Sequence, residues 1–318
     1  MRRFVQTARK RLEADRPRFA ATIREVQLPS LPAVSARLIA EINRPEPDMD
    51  RIAEAISAAP QTAVKVIQTV NSSIFSLRNP VLSVRHALAL LGLRHVRPIA
   101  LSFAMLDALP RPRGPVFDDE LFWTDSVLRA LFGHSIARRL CPGEEETAFT
   151  AGLLADAAIP VLLSVWEQSY TPELAAWAGR AESLTELERA AFGWDHGQAG
   201  AWVLDHWALP AQLSATVGLH NLPRQEIHAA ELGTSPVLPV VLAAQVPSVG
   251  RTEPERARQC VAALMTELGA PPEAIVHLIA EVRGRFGEMC TSFGLRSPRA
   301  DAMLDDLLGA ASLAEDAA

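Results

Sequence analysis

The chain has 318 residues, 49% hydrophobic and 21% charged, enough to bury a substantial core or two smaller ones packed together, which excludes disorder as its main state. Its 37 acidic residues against 31 basic ones leave a formal net charge of -6, whereas a domain that grips nucleic acid by its phosphates is normally basic. Nucleic acid is therefore an unfavoured partner.

Helical periodicity runs along the whole chain, and no stretch of strict alternation between turn residues suggests a strand, so the expected fold is all-α. A first helix is expected over about residues 3–25, with Phe4, Val5, Ala8, Leu12, Phe19 and Ile23 on one side and a basic, solvated face on the other. In Leu28-Pro29-Ser30-Leu31-Pro32, Ser30 is expected to cap a helix with Pro32 near its first turn. Asp48 or Asp50 opens the next, Pro60 one that ends at Asn71, and Ser83 one that stops at Gly92. Asn71 is expected to adopt an unusual backbone conformation there.

Prolines 110, 112 and 115 cannot continue a helix, so the main subdomain boundary falls there. Beyond it, helices are expected at about 119–140, 145–156, 158–168, 172–180, 184–192, 196–207 and 210–220, then about 236–247, 253–268, 272–292 and 298–312. Thr252 and Glu255 have capping-box spacing. The division that results is an amino-terminal helix (1–25), a helical subdomain (26–110), a second helical subdomain (116–222) and a helical tail (223–318).

Cys141, Cys260 and Cys290 lack CxxC spacing, which favours a reducing cytoplasm over a disulfide framework or zinc knuckle. The charged start argues against a secretory signal, and the run from Pro236 to Pro247 is too short to span a bilayer, so no membrane segment is expected.

A glycine-rich phosphate loop, a GxSxG elbow and an HExxH motif are all missing. What stands out is a set of dispersed segments: Phe122-Trp123-Thr124-Asp125-Ser126, Ala151-Gly152-Leu153-Leu154-Ala155-Asp156-Ala157, Gly193-Trp194-Asp195-His196-Gly197 and Gly218-Leu219-His220. Upstream lie Leu28 to Pro32, Asn71-Ser72-Ser73-Ile74-Phe75, and Val84 to Leu93. In order and approximate spacing these resemble the HDOD domain, the HD-related output domain of bacterial signalling proteins, itself similar to the metal-dependent HD phosphohydrolases. The resemblance covers about residues 26–222.

In a catalytic HD enzyme, a histidine, an adjacent His-Asp pair and a later aspartate hold an ion, because several deprotonated ligands must fix it before it can lower the pKa of bound water. Here the first position reads Asp125 and the pair reads Ala155-Asp156. No aspartate occurs between Glu226 and Glu253, where the last ligand belongs. The resemblance thus implies a degenerate site in which Asp125, Asp156, His196 and His220 line a vestigial pocket with no catalytic residue, no metal and no cofactor. Asp195 is expected to cap the helix that begins at His196. The implied function is a non-catalytic bacterial signalling module that binds a protein partner in trans or a nucleotide-like small ligand; the alternative is a phosphohydrolase acting on a nucleotide or cyclic dinucleotide.

His134, nine residues after Asp125, falls on the opposite face of the same helix, so the two cannot share an ion. Trp123, Trp166, Trp194, Trp202 and Trp207 are expected to pack the core. Ile74-Phe75 is a possible partner contact.

Overall fold

The structure, a computed structural model, describes residues 2–22, 27–44, 46–73, 75, 77–178, 183–251, 254–295 and 298–316. The expectations for Ile23, Ile74 and Thr252 lie outside them. Among the described residues the fold is helical, with no strand.

After α1 (Arg2–Thr22), an amino-terminal bundle comprises α2 (Ala33–Ile42), α3 (Met49–Ser57), α4 (Pro60–Val70), α5 (Val84–Leu91) and α6 (Leu93–Ala108). The second bundle follows: α7 (Asp119–Leu140), α8 (Glu145–Leu154), α9 (Ala158–Val165), α10 (Glu167–Ala178), α11 (Leu184–Phe192), α12 (His196–His206) and α13 (Ala211–Gly218). The remainder forms α14 (Arg224–Ala229), α15 (Val237–Ala243), α16 (Pro254–Leu268), α17 (Pro272–Phe293) and α18 (Pro298–Asp316).

Several starts obey local chemistry. Asp48 accepts from the Asp50 and Arg51 amides at the start of α3, Pro60 occupies the first turn of α4, and Ser83 accepts from the His86 amide at the start of α5. Two expectations are corrected. Pro32, at φ −52° and ψ 141°, stands at the start of α2 with no side-chain cap, because Ser30 lies two residues too early. Asn71 has an ordinary backbone, φ −84° and ψ −3°. Its importance lies in its amide, which accepts from Val81 N at 2.7 Å and donates to Val81 O at 2.8 Å, tying the loop before α5 to the end of α4.

The sequence pattern missed α6 and α14. Gly92 ends α5 at φ +77°, a conformation that favours glycine, and α6 begins at the next residue. Pro98, which argues against a continuous helix, is accommodated inside α6, and its carbonyl accepts from Ser102 Oγ at 2.9 Å and Thr150 Oγ1 at 3.1 Å.

The axis of the molecule is α7. Asp118 caps it, Asp119 and Glu120 lie in its first turn, and Arg138 and Arg139 lie in its last, all matched to the helix dipole. Between the ends it is buried nearly all round, packed by α8, α15 and α17. One hydrophobic core runs from α1 through both bundles into the tail, crossing the proline-rich segment. A second, smaller cluster joins Phe19 of α1 to Tyr170, Trp194 and Trp202. Trp123, Trp194, Trp202 and Trp207 are buried as expected, and Trp166 is half-buried against Phe192 and Trp194. Arg11 pairs with Glu226 and Arg16 with Glu13 on the basic side of α1, while its apolar side is buried against α12 and α13.

One stretch, Glu145–Val165, is long and apolar enough to cross a membrane by composition; it covers α8 and α9, and 83% of its window is buried inside the protein, as for a core helix pair. Cys141, Cys260 and Cys290 are free and buried.

The crossing of α7 and α8 depends on small residues. A methyl group at Gly152 would lie 2.9 Å from the Arg129 carbonyl oxygen and 3.1 Å from Ala130 Cα, both backbone atoms that cannot swing aside. Gly152→Ala is therefore expected to lower stability by about 1–3 kcal/mol, read as a shift in the urea unfolding midpoint.

Candidate functional site

The crossing of α7 and α8 also builds the site. Asp125 and Arg129 are one turn apart on α7 and so share a face. After α8 ends at Leu154, a turn carries Asp156, whose carbonyl accepts from the Ile159 amide at 2.9 Å, and the close crossing sets this turn beside Arg129. Arg129 Nη2 donates to Asp156 Oδ2 at 2.7 Å, with both side chains mostly buried.

His196 is the first residue of α12 because Asp195 caps that helix. Asp195 Oδ1 accepts from the Gln198 amide while Gln198 Oε1 accepts from the Asp195 amide, each at 3.1 Å, a complete capping box. His220 stands two residues past α13 and is anchored by Nδ1–H donating to Val217 O at 2.7 Å. Both histidines aim Nε2 at Asp156 Oδ1, each from 3.4 Å. The three expected residues Asp156, His196 and His220 thus offer donor atoms that all lie within 4.8 Å of one another.

Asp125, the fourth expected residue, lines the same cavity of about 190 Å³, but its carboxylate is already used. Ser248 Oγ donates to Oδ2 at 2.5 Å and the Val249 amide donates to Oδ1 at 2.9 Å. These donors come from the segment after α15, where the HD pattern would place its last aspartate. Burial pushes the Asp125 carboxyl up to about 6, against the pull of the Ser248 and Val249 bonds and of Arg129.

Four contributors escaped the sequence reading: Arg129, Ser248, Glu188 and Asn221, whose Nδ2 lies 3.0 Å from His196 Nε2. Fully buried Glu188 accepts from the His196 amide at 2.8 Å, bonds His196 Nδ1 at 2.7 Å, and accepts from the Tyr170 hydroxyl. The only signal available for Arg129 was its i+4 spacing from Asp125. Glu188 and Ser248 carried no such signal, since their approach depends on how α11 and the segment after α15 pack.

The electrostatics follow from this layout. Burial disfavours a charge on His196, but the Glu188 and Asp156 carboxylates outweigh it and raise its pKa well above 6.5. Burial likewise works against the Asp156 carboxylate, and Arg129 with the two histidines holds it well below 3.8. Asp195 is lowered in the same way, with His196 and Arg189 overcoming burial. His134 is absent from the cluster, and burial together with the Arg285 and Arg138 charges pushes it down to about 4.

The residues do not fit a hydrolytic metal centre. Ala155 offers a methyl group where the family pattern has a ligand, Asp125 is tied to Ser248 and Val249, and the Arg129 guanidinium lies against the one remaining carboxylate. Three donors beside a fixed cation are a poor trap for a second, divalent one.

An all-helical fold whose pocket gathers Asp156, His196 and His220 defines an HD-related helical domain. The chain belongs to the HDOD domain family, whose family model matches residues 28–223. A protein of Shewanella amazonensis whose name proposes a phosphohydrolase is similar in structure, with a TM-score of 0.63, 20% identity, and coverage of 91% of this chain and 98% of that one. An HDOD domain protein of unknown function from Geobacter sulfurreducens has a TM-score of 0.58 at 19% identity, covering 98% and 96%. A Marinobacter aquaeolei protein whose name proposes a signal-transduction role has a TM-score of 0.58 at 19% identity, covering 95% of this chain and 66% of that one. These likenesses establish the fold. No curated protein matches.

Because the folded Asp125 carboxyl titrates near 6 and an unfolded one near 3.8, the native state holds the extra proton between those values, and stability falls as pH rises through that window. Asp125→Asn is expected to flatten this decline, measured as urea midpoints from about pH 4 to pH 6.5 against the unmodified protein.

Proposed function

We propose that the chain is a non-catalytic signal-transduction module of the bacterial cytoplasm that works by binding a protein partner in trans. The observation that carries this reading is the 2.7 Å contact between Arg129 Nη2 and Asp156 Oδ2. A guanidinium is a permanent cation, so the charge that a metal would supply in a hydrolase is supplied here by a side chain that cannot activate water.

The size of the pocket supports a protein partner over a nucleotide. Its volume of about 190 Å³ is below the roughly 300–1,000 Å³ of ordinary ligand pockets. The amino-terminal bundle, in contrast, exposes Val34, Met49, Val64, Leu82 and Leu90, with Leu82 at 82% exposure. Large side chains left in water on one bundle suit an interaction surface.

The rival reading, a phosphohydrolase, draws on the Asp156, His196 and His220 cluster. Protein purified after growth with manganese and iron is expected to carry sub-stoichiometric metal and to leave bis(p-nitrophenyl) phosphate and cyclic dinucleotides intact. Stoichiometric metal with turnover that disappears in His196→Ala would overturn the proposal in favour of the enzyme.

A further inference from the structure

A second, larger cavity of about 620 Å³ lies on another side of the molecule, where α6 of the amino-terminal bundle meets the α7–α8 loop, α8 and the start of α13. Leu93, Leu101, Leu213 and prolines 98, 142 and 210 give it an apolar lining, and its volume is that of a pocket for a small organic molecule, roughly 300–1,000 Å³.

Its polar groups differ in how they are used. Arg94 donates to the Gly143 carbonyl, Gln212 Nε2 donates to Glu144 Oε2 at 2.8 Å, and Thr150 Oγ1 donates to Pro98 O at 3.1 Å. Arg97 has no hydrogen-bond or ion-pair partner among the described residues. It lines the cavity half-buried, and burial lowers its pKa. A half-buried guanidinium facing a cavity is suited to take a carboxylate in a bidentate, charge-assisted contact.

We propose that this cavity is a binding site for a small amphipathic anion, with a carboxylate or similar oxyanion seated on Arg97 and an apolar body against Leu101 and Leu213. Since the walls come from both bundles, such a ligand would bridge them and favour the packing seen here. The site is separate from the pocket around Asp156 and stands whether or not that pocket is catalytic.

The probe is decanoate, with decanol as its uncharged counterpart, titrated into the full chain by calorimetry. Decanoate is expected to bind at a single site, and decanol at least about tenfold more weakly, the loss of one charge-assisted contact. Arg97→Met, which keeps the apolar stem, is expected to weaken decanoate by about the same factor and to leave the Tm equal to or above that of the unmodified chain. Thr147→Phe, which fills the cavity from α8, is expected to abolish binding of both probes. Equal affinity for decanoate and decanol, undiminished binding by Arg97→Met, or a marked fall in Tm for that variant would overturn the proposal. So would a concentration-dependent dimer in sedimentation that Leu213→Arg abolishes, since the face would then serve a second copy of the chain.

Discussion

The candidate site depends on one electrostatic requirement: Asp156 is an ionised carboxylate in a buried turn and must be given positive charge. A carboxylate moved from water to the protein interior loses several kcal/mol of hydration, in round terms. Arg129 supplies the compensation at 2.7 Å, and His196 and His220 add to it at 3.4 Å. The arrangement demands that α7 and α8 approach closely, which Gly152 allows, and that α12 begin at His196, which the Asp195 capping box enforces. Packing and charge are therefore coupled in the same few residues.

Around that ion cluster the protein has built a second ring of constraint. Glu188 holds His196 through both its amide and its ring, while Arg189 pairs with Asp195 at 2.7 Å. Ser248 and Val249 reach back to Asp125 from the segment after α15 and hold its carboxylate at the wall of the cavity. The Ser248 and Val249 bonds occupy the Asp125 carboxylate, while Glu188 and Arg189 fix the orientation of His196 and Asp195. A polar network satisfied to this degree contributes rigidity.

The tail takes part in that rigidity. Glu281 of α17 accepts from Arg138 and Ser135 on α7, while Glu288, two turns further along, accepts from the Ser73 amide in the amino-terminal bundle. Phe293 then packs on Phe103 of α6 with ring centroids 4.9 Å apart. One helix thus spans both bundles, and its far end lies against the amino-terminal bundle whose α6 also lines the larger cavity. Ligand occupancy there and the relative placement of the bundles would act on the same structural seam.

Much of this was legible in the residues themselves. Periodicity announced an all-helical chain and local caps marked α3, α5 and α12, because those signals are carried by neighbours within a turn or two of each other; Asp125, Asp156, His196 and His220 were singled out by the resemblance of the dispersed motifs to the HDOD family. The roles of Arg129, Glu188, Ser248 and Arg97 were decided only in three dimensions. An ion pair joins side chains whose separation is set by helix crossing, and the cavity that Arg97 lines exists only once α6, α8 and α13 have packed. Helix α6 escaped for a related reason: Gly92 and Pro98 are both stop signals locally, and burial of Val96, Ile99, Leu101 and Phe103 in the shared core outweighs them. Local chemistry can be read along the chain, but compensation between distant charges exists only after the chain has folded.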